Sequence, residues 1–218
     1  IKLVGSEHGR TVAEAVRLVL VEEVPRFHLS GAPHKPRVPY EPPRYTGAIP
    51  VEIVKDHEGN FKLLRGGEPF FVKGVNGVED LAAAQKAGAN AVRVYSPDHL
   101  RGFAVLDEAY ERGLGVAIGI FLIQQDRGMD YSNPAYRRRI ADQLEEAKEY
   151  VLRYKDHPAV IAWIIGNEVD RGNADVWYHV NEIAKFIKDN YPYHPTMVAL
   201  ANSDPVRIQY VRDRAPYV

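Results

Sequence analysis

A chain of 218 residues, 45% hydrophobic, can bury one good core with a small appendage. Its formal net charge of −1 gives no electrostatic reason to expect a nucleic-acid or membrane partner, and no apolar run approaches the ~18 residues that span a bilayer. Cysteine is absent, which excludes disulfides and thiolate chemistry and leaves the redox compartment open. The sequence opens on Ile1 without an initiator Met or a charged-then-apolar leader, which suggests that it is cut from something longer.

In chain order, residues 1–24 carry strand-like material: Ile1-Lys2-Leu3-Val4, a turn region from Gly5 to Gly9, then Thr11 to Val21. Residues 25–50 change character. Pro25, Pro33, Pro36, Pro39, Pro42, Pro43 and Pro50 interrupt any periodic pattern, so the stretch reads as an extended linker lying over a neighbouring surface, with a Pro-rich recognition segment as the alternative. Val51 to Lys55 and Phe61 to Leu64 alternate around the turn residues Asp56 to Asn60, which predicts a hairpin.

After the hairpin one unit repeats. Strands are predicted over Phe70–Asn76, Ala91–Tyr95, Gly115–Ile123, Ala159–Ile165 and Thr196–Ala201. Helices are predicted from Glu79 to Ala87, Asp98 to Arg112, from Asn133-Pro134 onward, Ala174 to Asn190, and after the cap Asp204-Pro205. Ile140, Leu144, Ala147 and Val151 share one face of the third helix; Val176, Val180, Ile183 and Ile187 share one face of the fourth. Tyr217-Val218 reads as the first step of a sixth strand.

Strand and helix alternating through short connections imply parallel strands and right-handed crossovers. An open doubly wound sheet and a (β/α)8 barrel both fit. The open sheet usually brings a glycine-rich phosphate loop after its first strand, and Gly74-Val75-Asn76-Gly77-Val78-Glu79 lacks that pattern. The barrel needs roughly 250 residues for eight units, and five complete units are present here. The run Ala159 to Ile165 is wholly apolar and ends in Gly166-Asn167-Glu168, as a buried parallel strand ends when it delivers polar side chains to a site. Glu168 is therefore the first candidate for chemistry; the alternative makes Gly166-Asn167 a turn and Glu168 an exposed first-turn helix residue.

Four strings together resemble the catalytic barrel of glycoside hydrolase family 2: Gly67 to Asn76, Gly88 to Tyr95, Met129-Asp130-Tyr131-Ser132, and His157 to Val169. The resemblance covers about Val51 to Val218 and implies a partial TIM barrel truncated after its fifth βα unit. Residues 1–24 faintly resemble the closing strands of a carbohydrate-binding β-sandwich, 25–50 form the linker, and 51–218 the N-terminal part of the barrel. The resemblance implies a retaining β-glycosidase acting on a carbohydrate substrate without a metal or cofactor, in a secreted or periplasmic setting.

Position by position, it makes Glu168 the general acid/base and Asn167 the partner of the sugar 2-hydroxyl. Arg93 matches the arginine beneath the catalytic carboxylates, and Asn76 lines the pocket. Tyr95 and Trp163 are candidate sugar platforms or barrel-core aromatics; Gln124 and Asn202 are candidate rim hydrogen-bonders. His157 is expected to be a structural histidine, and His179 with Glu182 a solvated helix pair.

The departure from the family is the nucleophile, a glutamate at the end of strand seven, beyond the five strands present. Asp170, Glu182, Asp204, Glu79 and Asp80 offer no convincing substitute. The alternatives are an inactive partial barrel that binds glycan or serves as a scaffold, and an open-sheet nucleotide-binding protein. Open sheet edges also predict self-association, or completion by the remainder of a barrel.

Overall fold

The computed structural model describes residues 6–7, 10–11, 42–169 and 174–218. The chain divides into two compact units, 1–37 and 38–218. In the first, β1 (Ser6–Glu7) pairs antiparallel with β2 (Arg10–Thr11). The predicted strand Ile1–Val4, the run from Val12 to Val21 and the linker as far as residue 41 lie outside the described residues.

In the second unit, residues 42–50 form an irregular segment held by polar contacts. Arg44 Nη1 donates to Glu111 Oε1 at 2.6 Å, Tyr45 Oη donates to the same oxygen at 2.9 Å, and Gly47 N donates to Asp156 O at 2.8 Å. The predicted hairpin follows as β3 (Val51–Lys55) and β4 (Phe61–Arg65), extended by β5 (Glu68–Pro69) into a three-stranded antiparallel sheet.

Five parallel strands then build the main sheet: β6 (Gly74–Asn76), β7 (Ala91–Val94), β8 (Gly115–Ile120), β9 (Val160–Asn167) and β10 (Thr196–Ala199). Their order across the sheet is β10-β9-β8-β7-β6, the order of the chain itself. A doubly wound sheet reverses direction part-way across, whereas a barrel adds each strand beside the last. The five-stranded sheet is thus an arc of a barrel, as the resemblance implied.

The two faces agree. Val92, Val94, Val116, Ile118, Ile120, Val160, Trp163 and Ile165 pack in one core with helices α2 (Ala104–Glu111), α3 (Arg137–Tyr154) and α4 (Val176–Asn190). From the opposite face Ala91, Ala117 and Ile161 meet Val51, Leu63 and Phe70 of the hairpin region. Arg65 Nη2 donates to Pro158 O at 2.9 Å, just ahead of β9, so the hairpin covers the end of the arc where the strands begin. The ends where the strands finish, the face on which barrels carry chemistry, are left for a site.

The helix faces are those read from the sequence. Val176, Val180, Ile183 and Ile187 of α4 are fully or almost fully buried, and Ile140, Ala147 and Val151 of α3 are buried with Leu144 packed against them. Several boundaries differ. The first predicted strand, Phe70–Asn76, shortens to the three-residue β6, and Phe71 ahead of it is 81% exposed. The first helix, α1, runs only Leu81–Lys86, with Asp80 as its cap. The predicted helix 98–112 is broken: a 3₁₀ turn over Pro97–Leu100 ends at Arg101, whose φ of 50° stops helical growth, and Gly102 precedes the restart at α2. Asp204 caps α5 (Pro205–Arg214) as predicted, its Oδ1 accepting from Val206 N at 2.9 Å. Tyr217-Val218 is not a strand. Val218 N turns back to Ala215 O, and Thr196 Oγ1 donates to Tyr217 O, so the chain folds against β10 instead of extending the sheet.

Candidate active site

Strand β9 enters the site through a break in its own alternation. Gly166, inside β9, has φ 76°, a left-handed conformation that glycine adopts without penalty, and a methyl group there would lie 2.9 and 3.1 Å from the Val169 methyls. The turn brings Asn167 beside Arg93 of β7. Glu168 follows at φ 53°, one of two described non-glycine residues in the left-handed region, at a backbone cost of about 1–2 kcal/mol. Its amide donates to Ala199 O at 2.8 Å, tying the turn to the end of β10.

Arg93 is half-buried at the centre of this end of the arc. Its register partners are Asn76 on β6 and Ala117 on β8. Arg93 Nη2 donates to Asn167 Oδ1 at 2.8 Å. A guanidinium carries donors only, so this contact fixes the amide oxygen of Asn167 toward Arg93 and leaves the Asn167 NH₂ as the group able to donate elsewhere. Tyr95 lies over the guanidinium, its ring centroid 4.8 Å from Cζ. Burial pushes the Arg93 guanidinium below its ordinary pKa; the neighbouring Tyr95 and Glu168 act in the opposite direction. Arg93 Nε is buried and finds no partner among the described residues, a donor left unspent beneath the site.

The other sequence-derived candidates divide. Asn76 is exposed at the end of β6, level with Arg93, and Tyr95 is 43% exposed. Trp163 is corrected: it has no exposed surface and belongs to the core between sheet and helices, so its ring is packing and not a sugar platform. Gln124 is corrected as well. It is 7% exposed, and its Nε2 donates to the backbone oxygens of Asn167 at 2.8 Å and Glu168 at 3.3 Å. It serves the turn and not the rim. Asn202 is exposed and its Oδ1 accepts from Asp204 N at 3.1 Å, a local turn ahead of α5.

His157 is the structural histidine the sequence suggested. Its Nδ1 accepts from Ala159 N at 3.1 Å, which places the proton on Nε2, 3.2 Å from Asp107 Oδ1. His179 and Glu182 stand 3.5 Å apart on α4. Among the described residues no group of three or more His, Asp or Glu is placed to hold a metal ion. Asp80 and Asp204 are committed to helix caps, and Asp170 lies outside the described residues. Glu168 is the carboxylate that acts on Arg93.

Nothing in the sequence announced that Gln124 would clamp the turn. Tyr131 stood in one of the four strings without a role assigned; its hydroxyl donates to Ile123 O, and burial pushes its pKa up to about 12.

The family model for glycosyl hydrolases family 2, TIM barrel domain, matches residues 72–196. The β-glucuronidase of Chlorocebus aethiops is 26% identical over 193 residues, 80% of this chain and 27% of that protein. The β-glucuronidase of Mus musculus is 30% identical over 145 residues, 55% of this chain and 20% of that protein. The crystal structure of Ruminococcus gnavus β-glucuronidase in complex with uronic isofagomine has the same fold over 74% of this chain and 31% of its own, with a TM-score of 0.58 at 18% identity. The chain thus spans between a fifth and a third of the length of these relatives.

Proposed function

The chain belongs to glycosyl hydrolases family 2, as part of its TIM barrel domain, and from that premise we propose that it supplies the acid/base half of a retaining β-glycosidase site. Glu168 is the general acid/base. It protonates the departing glycosidic oxygen in the first step and takes a proton from water in the second. Asn167, its oxygen committed to Arg93, presents its NH₂ to the sugar 2-hydroxyl, a contact that strengthens as oxocarbenium character grows.

The observation that carries this reading is the Arg93–Asn167–Glu168 cluster at the ends of β7 and β9, with Arg93 Nε unspent. Retention requires a second carboxylate about 5–5.5 Å from the first. Family resemblance puts it on a seventh strand, and the buried Arg93 donor is the group that would hold such a carboxylate ionised. Segments 1–24, 25–50 and 51–218 are, in the same reading, the remnant of a sandwich-like module, a linker and the first part of the barrel. The partner is a carbohydrate.

The test is turnover of a panel of chromogenic β-glycosides, a β-D-glucuronide among them because curated relatives carry that name. Wild-type turnover that falls about 10²- to 10⁴-fold in Glu168→Gln supports the acid/base role. Weak glycan binding without turnover by the wild type would favour the inactive partial barrel instead.

A further inference from the structure

A buried polar chain runs from α3 to the turn after β9, and the acid/base reading does not use it. Ile123 N donates to Gln143 Oε1 at 2.9 Å, Gln143 Nε2 donates to the Tyr131 hydroxyl at 3.0 Å, and that hydroxyl donates to Ile123 O at 2.8 Å. The ring closes on itself. Each polar atom in it has a partner, and Gln143 and Tyr131 are 9% and 6% exposed, so the backbone of Ile123 is held from both sides. The next residue is Gln124, whose own oxygen-bearing backbone accepts from Arg127 N at 3.0 Å. Its side chain therefore starts from a fixed point.

The side chain ends on a place that needs it. Gly166 and Glu168 are both left-handed, on either side of Asn167, the last residue of β9, and the carbonyl oxygens of Asn167 and Glu168 both face Gln124. Gln124 Nε2 reaches both oxygens from a position 7% exposed. A left-handed conformation is unfavourable for glutamate and persists only where its surroundings over-determine it. We infer that Gln124 is a positioning residue for Glu168: by holding the two carbonyl oxygens it keeps the peptide left-handed and thereby sets where the carboxylate points. This deepens the acid/base reading and rests on it.

Two variants separate the donor from the packing. Gln124→Leu keeps most of the volume and removes the donor; Gln124→Glu keeps the shape and puts an acceptor where the donor stood. The first readout needs no turnover. Backbone chemical shifts and the HN–Hα coupling of Glu168, measured by NMR on the isotope-labelled 218-residue chain, report its φ, and amide exchange reports its bond to Ala199 O. Both variants should lose the left-handed signature and speed Glu168 exchange about tenfold or more, while Val116 and Ile118 in β8 exchange as in wild type.

The second readout is kinetic. Both variants should lose kcat about ten- to a hundredfold at nearly constant KM, and Gln124→Glu should partly recover as falling pH gives its carboxyl a proton to donate. If either variant fails to fold, Gln124→Asn, a donor one methylene short, replaces it under the same criteria. Unchanged Glu168 shifts and exchange in the folded variants overturn the positioning role. A barrel that carries its seventh-strand carboxylate and still shows no turnover overturns the acid/base reading, and the NMR readout then still decides for Gln124.

Discussion

Arg93 Nη2 donates to Asn167 Oδ1 at 2.8 Å, and this one bond joins the ends of β7 and β9 across the intervening β8. It fixes which end of the Asn167 amide faces outward, and it sets a permanent positive charge next to Glu168.

Arg93→Met removes the donor and the charge while keeping a long stem. Charge-assisted hydrogen bonds contribute about 1.5–3 kcal/mol, so kcat/KM on the best β-glycoside should fall about 10- to 100-fold. Arg93→Lys should recover little, because an ammonium cannot reproduce the planar fork that sits under Tyr95 and against Asn167. Steady-state kinetics of the two variants check this.

Gly166→Ala should destabilise the turn that carries Glu168. The new carbon meets the Val169 methyls at 2.9 and 3.1 Å in a backbone with φ 76°. Strain and overpacking together predict a loss of about 1–3 kcal/mol in urea unfolding, with a larger proportional loss of activity because the turn carries Glu168.

His194 makes stability fall in mild acid. It is 5% exposed, and burial lowers its pKa to about 4 from the ordinary 6.5, against the opposing influence of the Ile49 and Val160 backbone and Asp156. The unfolded chain therefore binds the proton first as pH drops. Stability is full above 6.5 and declines through the window from 6.5 to 4, reaching a loss of about 2 kcal/mol at pH 5. His194→Leu removes the titrating ring and should flatten this dependence. Urea titrations at pH 7.5 and 5 on both proteins decide it.

The edges of the arc predict association. Among the described residues β6 and β10 each pair on one side only, and Val75 and Met197 upon them are 40% exposed, with Phe71 nearby at 81%. The 218-residue chain by itself should self-associate at micromolar concentration. Light scattering showing a clean monomer would count against this.

The parts of the fold legible in the sequence were those set by period. The inward stripes of α3 and α4 follow from 3.6-residue spacing, and the apolar run into Asn167-Glu168 marked β9 because both faces of such a strand are buried. Side-chain direction was harder. The sequence left Trp163 as a sugar platform or a core aromatic; β9 shifts register against β8 near Val116, and Trp163 packs with Val160 and Ile165 on the helix side. Gln124 was found as a residue near the site but with the wrong partner. Its bonds join positions 43 and 44 residues apart, a relation that no local pattern encodes. Arg101 broke a predicted helix because its left-handed backbone is decided by the turn around it and not by its own propensity.

The most direct measurement on the acid/base claim, made on a barrel in which the seventh-strand carboxylate completes the site, uses Glu168→Ala with a dinitrophenyl β-glycoside and azide. A leaving group that departs without protonation bypasses the acid step, so the slow step becomes attack on the glycosyl-enzyme, which azide can perform without a general base. The account predicts that azide restores turnover in Glu168→Ala and that the product is the β-glycosyl azide, with no such product from wild type. Equal activity in wild type and Glu168→Ala without azide would contradict the assignment of Glu168.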